Sequence, residues 1–317
     1  MYDIAREDRM MIRKNRHCKR VITSLAVTMI ISGCAPASAP IQGESPLKAT
    51  IQPSGTPARA TATKFQGPSV TVALETCEET RGRLVEESYT LLDGQSEADV
   101  IVYLPPCYDD SDEDYPVAYF LHGYPQDQGH WIELGVIDSY EALLAGSRIG
   151  PIVLIFPYQP EPYFTQTDGG PSSMEELLLE QLSTEMSQRY QISQHPSERA
   201  ILGVSRGGVW ALEISMRHPE TFDVVAALSP ALAYNHPRRA YDPFEIARST
   251  DDLPGHIFIS AGDREPQFAN EIDRFADTLE RSGISFQYLQ HEGRHENSAW
   301  GAILERVMIF LGNAISK

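Results

Sequence analysis

The chain has 317 residues, 42% hydrophobic and 22% charged, a balance that excludes a wholly disordered polymer and allows one large or two small domains. A formal charge of −18 argues against nucleic acid as a partner, because a phosphate backbone is held by clustered Lys and Arg. The charge is uneven: residues 1–33 carry seven basic side chains against three acidic ones, leaving −22 for the remainder.

Arg13 to Arg20 form a basic stretch, and Val21 to Ser32 is a twelve-residue run without charge. A spanning helix needs about twenty apolar residues, so this is the length of an export signal rather than of a membrane anchor. The run closes on Ile31-Ser32-Gly33-Cys34, which resembles a bacterial lipobox, where a branched aliphatic and two small residues precede a cysteine that becomes the lipidated N-terminus. The expectation is a lipoprotein signal over 1–33, translated from Met10 or Met11, with lipidation at Cys34. The folded part would then be exported and tied to the cell membrane by lipid only; plain secretion, with Cys34 incidental, is the alternative. Residues 35–68 include six Pro, seven Ala, three Ser and four Thr, too little apolar surface to offset ordering entropy. With Cys34 they form a predicted flexible stalk over 34–68, with a span on the order of 30 Å. A single domain is predicted over 69–317.

Besides Cys18 and Cys34 the chain has Cys77 and Cys107, which an oxidising compartment would join as a disulfide; two buried thiols are the alternative. Runs rich in β-branched and aromatic residues predict strands at 83–91, 98–104, 116–121, 151–156, 199–204, 223–228, 256–260 and 285–289. Met174, Leu178, Leu182 and Met186 recur every four residues after a capping box read at Ser172 and Glu175. Further helices are predicted near 207–217 and 267–281, and Trp300, Ile303, Leu304, Val307 and Leu311 form a terminal apolar stripe. Strands that give way to strand–helix alternation imply an α/β three-layer sandwich, its central sheet mostly parallel with antiparallel opening strands. Ligands in such sheets gather at the carboxyl ends of strands.

Gly203-Val204-Ser205-Arg206-Gly207 lies between the strand RAILGV and the helix GVWALEISM, the strand–turn–helix context of a G-x-S-x-G nucleophile elbow. A serine hydroxyl needs a base oriented by a third group. Asp263 follows the strand HIFIS and is assigned as orienter, with Glu265 as fallback; His295, after the next strand, is assigned as base. The oxyanion hole is assigned to the backbone N–H groups of Arg206, after the nucleophile, and of Tyr124, after the strand VAYFL and Gly123. Residues 291–295 also read as H-E-x-x-H, but zinc chemistry needs both histidines on one helical face, and this segment follows a strand and contains Gly293. The acidic run 109–114 lacks EF-hand spacing and reads as a solvated loop, so neither metal nor cofactor is expected.

These pieces resemble the putative esterase family of α/β-hydrolases, which includes feruloyl esterases, enterochelin esterases, S-formylglutathione hydrolase and mycobacterial mycolyltransferases. The matching segments are YLPPCYD (103–109), YPVAYFLHGY (115–124), RAILGVSRGGVWALEISMRHPETF (199–222), SAGD (260–263) and GRHENSAW (293–300). The last matches the family's Gly-x-His-x-Trp-x-x-Trp at Gly293, His295 and Trp300 and departs from it at Asn297, where the first Trp is usual; Arg206 stands where Met is commoner. The resemblance implies an α/β-hydrolase that cleaves a carboxylic ester through an acyl-enzyme. Its expected substrate is a small-molecule or polysaccharide ester, such as a feruloyl or acetyl ester of plant polysaccharide. Tyr163, Phe164, Tyr234 and Tyr241 are candidates to line an aromatic acyl site. An acyltransferase of the mycolyltransferase type is the alternative, with a silent surface-binding protein or a zinc hydrolase behind it.

Overall fold

The computed structural model describes residues 77–166 and 168–315. The predicted signal, Cys34 and the stalk lie outside the described residues.

All eight predicted strands form, with ends moved by a few residues: β1 (Arg83–Thr90), β2 (Glu97–Leu104), β3 (Val117–Leu121), β4 (Val153–Pro157), β5 (Arg199–Val204), β6 (Val224–Leu228), β7 (His256–Gly262) and β8 (Gln287–His291). They make one sheet in the order β1-β2-β4-β3-β5-β6-β7-β8. The β1–β2 and β2–β4 pairs are antiparallel and the remaining neighbours parallel. The central strands are near-continuous apolar runs because both of their faces are covered. In β3, Val117, Tyr119 and Leu121 enter the core on one side, and Ala118 and Phe120 the core on the other.

Helices α1 (His130–Glu133) and α2 (Val136–Ala145) follow β3, and α3 (Met174–Glu176) runs through a π-helical stretch (Leu177–Leu182) into α4 (Ser183–Arg189). After β5 come α5 (Arg206–Arg217), α6 (Pro243–Ser249), α7 (Pro266–Arg281), α8 (Asn297–Gly301) and α9 (Leu304–Ala314). Met174, Leu178, Leu182 and Met186 share one core with Trp210 of α5 and Phe275 of α7; Trp131, Tyr140 and the terminal stripe fill the other. The capping box is displaced by one residue from its predicted place. Ser173 accepts the Glu176 N–H, and Glu176 Oε2 accepts the Ser172 N–H at 2.5 Å. Glu175 is thereby turned inward, where it is buried against Arg217 at 2.8 Å.

Cys77 and Cys107 are joined, their Cα atoms 5.7 Å apart. In the chain-entropy picture a loop of this length contributes roughly 3–4 kcal/mol. Asp109, in the acidic run, pairs with Arg83 at 2.8 Å.

Candidate active site

The end of β5 forces the first feature of the site. Ser205 has φ 54° and ψ −114°, a conformation that is costly for a residue with a side chain and persists only where its surroundings impose it. Its N–H donates to the Leu228 carbonyl on β6 at 2.9 Å, and its own carbonyl accepts the Ala231 N–H at 2.9 Å. A Cβ at Gly203 would overlap the Gly207 carbonyl, and one at Gly207 would overlap the carbonyls of Leu121 and His122. Both flanking glycines are therefore steric requirements. Ser205 is left directly before the N-terminus of α5, where unpaired N–H groups favour negative charge.

Ser205 Oγ lies 2.8 Å from His295 Nε2, and His295 Nδ1 lies 2.8 Å from Glu265 Oε2. An ionised carboxylate only accepts, so Nδ1 carries a proton toward Glu265, which in a neutral ring leaves Nε2 to accept from the serine hydroxyl. Glu265 Oε1 accepts the Ser229 hydroxyl at 2.6 Å and the Gly262 N–H at 2.5 Å. Trp300 Nε1–H in turn donates to Ser229 Oγ at 3.1 Å. Burial alone would raise the Glu265 carboxyl, but the hydrogen bonds from His295, Ser229 and Gly262 outweigh it and hold the group below the usual carboxylate range. The imidazole of His295 is stacked on Phe268 with ring centres 3.6 Å apart, and Trp300 meets it edge-on at 4.9 Å.

The assignment of Asp263 as orienter is corrected by this geometry. β7 continues two residues beyond the predicted strand, through Gly262, and the Asp263 N–H is held by the His291 carbonyl at 2.8 Å. The Asp263 carboxylate accepts the Gly293 N–H at 2.9 Å and faces Arg264 at 3.4 Å, with 45% of its side chain exposed. Two further residues are needed to turn the chain into α7, and the turn delivers Glu265, not Asp263, to the imidazole. Asp263 braces the loop that carries His295.

After β3, the Gly123 carbonyl accepts His122 Nδ1–H at 2.9 Å and the Gln126 N–H at 3.0 Å. The proton is on Nδ1 because His122 Nε2 accepts the Gln159 N–H at 2.9 Å. In a trans peptide the N–H points opposite to the C=O, so the Tyr124 N–H is directed away from His122. Among the described bonds neither the Tyr124 nor the Arg206 N–H has a protein acceptor. A Cβ at Gly123 would come within 3.3 Å of Ser205 Cβ, so this turn lies against the serine. Burial pushes His122 down to about 4, which keeps it neutral.

A cavity of about 390 Å³ opens beside Ser205 and His295, walled by Tyr124, Phe164, Tyr234 and Phe268. Tyr124 is stacked on Phe164, and Tyr234 packs on Phe268. Tyr124 and Tyr234 are 67% and 58% exposed, which puts apolar rings in water at the mouth. Of the four aromatic residues named from the sequence, Phe164 and Tyr234 reach the cavity. Tyr163 packs on the core instead, and Tyr241 lies beneath the guanidinium groups of Arg217 and Arg238.

The side chain of Arg206 was not read from the sequence. Its Nε donates to the Phe164 carbonyl at 3.0 Å and its Nη1 to Asn235 Oδ1 at 3.0 Å, while its guanidinium covers the Trp210 ring. Arg206 thus ties together the two loops that wall the cavity. Burial pushes it down to about 10, against the opposing charges of Glu213 and Glu161. Residues 291–295 do not form a zinc helix: His291 ends β8, Gly293 turns the chain at φ 137°, and His295 lies beyond in the loop.

The strand order and an elbow that carries Ser205 against a histidine and an acid at neighbouring strand ends define an α/β-hydrolase. A family model described as "Putative esterase" matches residues 94–311, and the chain belongs to that family. It is 27% identical over 218 residues to the endo-1,4-beta-xylanase/feruloyl esterase of Xylanibacter ruminicola, covering 65% of this chain and 28% of that protein. It is 24% identical over 163 residues to the ferri-bacillibactin esterase of Bacillus subtilis, covering 49% of this chain and 56% of the other. The matches thus span well under two thirds of these curated relatives. Among solved structures, a ferulic acid esterase superposes with a TM-score of 0.65 at 20% identity, over 74% of this chain and 99% of the other, a likeness of fold.

Proposed function

We propose that this protein is a serine carboxylesterase that acts through an acyl-enzyme, with Ser205 as nucleophile, His295 as base and Glu265 as orienter. The observation that carries the reading is the unbroken hydrogen-bond path from Ser205 through His295 to Glu265 at the edge of an apolar cavity. Ser205 Oγ attacks the ester carbonyl while His295 Nε2 takes its proton; the carbonyl oxygen becomes an oxyanion facing the N–H groups of Tyr124 and Arg206. Collapse expels the alcohol, which receives the proton from His295. Water, deprotonated by the same nitrogen, then attacks the acyl-serine, and the acid leaves as Ser205 recovers its proton. Glu265 stabilises the imidazolium in both halves.

The cavity favours an aromatic acyl group, because four aromatic rings line it and offer flat apolar surface. The names of the relatives agree with this: one is a xylanase/feruloyl esterase and another structure a ferulic acid esterase. A feruloyl-type ester of polysaccharide is the proposed substrate. Export and anchoring through Cys34 complete the proposal, supported by the signal-like segment and by a disulfide suited to an oxidising compartment.

The test is turnover of p-nitrophenyl acetate, methyl ferulate and an acetylated xylan by wild type and Ser205→Ala, with and without chelator. A loss of about 10⁴-fold or more in the variant is expected, with chelator having no effect. Undiminished turnover in the variant overturns the serine mechanism. Mass spectrometry of the mature N-terminus tests the anchor, and an unacylated Cys34 would sink it.

A further inference from the structure

We propose that His130 and Asn297 are positioning residues that hold the oxyanion peptide in register with the catalytic histidine. The inference rests on the esterase reading above and adds to it two residues with no part in the proton path. Asn297 is also the position at which the chain departs from the family motif.

His130 is fully buried at the start of α1. Its Nδ1 lies 3.3 Å from the Gly123 nitrogen, which has only a proton to offer, so Nδ1 is the acceptor and Nε2 carries the hydrogen. That hydrogen is donated to Asn297 Oδ1 at 3.0 Å. The ring also meets Trp300 edge-on with centres 6.0 Å apart. Burial pushes His130 down, against the Asn297 hydrogen bond and the nearby charges of Glu133 and Asp127, so the neutral form that this pattern requires is favoured. A protonated ring would set two N–H groups head to head at Gly123.

The two ends of this relay belong to different parts of the machinery. Gly123 directly precedes Tyr124, and Asn297 comes two residues after His295 as the first residue of α8. Gly123 is gripped at both polar atoms: its N–H by His130, its C=O by His122 and by the Gln126 N–H. With both fixed, the next N–H, that of Tyr124, has a single orientation. Removing the Asn297 acceptor frees His130 to turn about its side-chain bonds, and Gly123 loses its partner. The cost falls on the oxyanion, which exists only after attack, and leaves the ground-state ester untouched.

The experiment compares wild type with Asn297→Ala, Asn297→Asp and His130→Phe on p-nitrophenyl acetate, whose small acyl group does not depend on the aromatic walls. Affinity for a boronic acid that forms a tetrahedral adduct on Ser205 is measured alongside. Asn297→Ala is expected to lose about tenfold in kcat with KM within about twofold, and to bind the boronate correspondingly more weakly. Asn297→Asp keeps an acceptor, but its charge would raise His130, so recovery to within about threefold of wild type is expected at about pH 9, where the ring is neutral, and not at about pH 6. His130→Phe keeps a buried ring, reports independently if Asn297→Ala fails to fold, and should match its loss; the double variant should lose no more than either alone. Wild-type kcat in both Asn297→Ala and His130→Phe, an equal fall in Asn297→Asp at about pH 9, or a loss confined to KM overturns the proposal. Turnover retained by Ser205→Ala would instead overturn the esterase reading itself.

Discussion

The two sides of the site are built to different standards. On the catalytic side, the Glu265 carboxylate has a hydrogen-bond donor at both oxygens, and its partners hang from the ends of β6 and β7 and from the loop after β8. On the acyl side, Tyr124, Phe164 and Tyr234 come from loops and short turns and Phe268 from α7, and one side chain, Arg206, ties two of those loops together. Among the described residues, buried polar atoms without a protein partner occur on both sides, Arg206 Nη2 by the walls and Ser260 Oγ and His291 Nε2 on the strands. A buried polar atom without a partner costs about 1–3 kcal/mol. The proposed chemistry hangs from strand ends, and the proposed acyl wall from segments joined by one side chain.

The sharpest way to break this contrast is to exchange the roles of the two acids. Glu265→Gln is expected to lower kcat about 10³-fold or more, since it removes the acceptor that fixes the His295 tautomer, while Asp263→Asn should change kcat less than about threefold. The reverse order, read from steady-state kinetics, would reinstate Asp263. On the wall side the expected effect is on selectivity. Asn235→Ala removes one anchor of Arg206 and should lower kcat/KM for methyl ferulate relative to p-nitrophenyl acetate by about three- to tenfold; an unchanged ratio would mean that the walls stand without it. The smallest effect is on stability. Glu213 is pushed up to about 8 by burial from its ordinary 4.5, with the neighbouring Glu175 charge acting in the same direction. The folded state therefore retains a proton that the unfolded chain has released, and folding is increasingly disfavoured as pH rises from about 4.5 to about 8. Glu213→Gln is expected to raise the thermal midpoint by about 3–6 °C at pH 8 and by less at pH 5. An equal gain at both pH values would show that titration of Glu213 is not the cause.

The sheet was legible because each central strand is a short β-branched run bounded by turn residues, and the elbow because its glycines are sterically compelled. The three short helices α1, α2 and α6 went unread. Two had usable signals: Val136, Tyr140 and Leu143 recur at four and three in α2, and Asp242-Pro243 is an N-cap followed by proline in α6. The choice between Asp263 and Glu265 was not legible, because it depends on where β7 ends and how the chain turns into α7, and that turn carries Glu265 to the imidazole. The Arg206 side chain and the His130–Asn297 pair escaped for a different reason. Their partners are remote in sequence, 167 residues away in the latter case, and no local pattern encodes such a meeting.

The Cys77–Cys107 bridge encloses the whole β1–β2 hairpin between its two halves. β1 is the outer strand of the sheet, with only Tyr89 fully buried and one edge unpaired, the element that would peel first under tension. A pull on the chain ahead of Cys77 has a covalent route to Cys107, beyond the end of β2, and need not pass along the hydrogen bonds of β1. The bridge works as a strain relief, like the clamp on a cable where it enters a housing: mechanical load on the leading segment is shunted past the weakest strand into the body of the sheet.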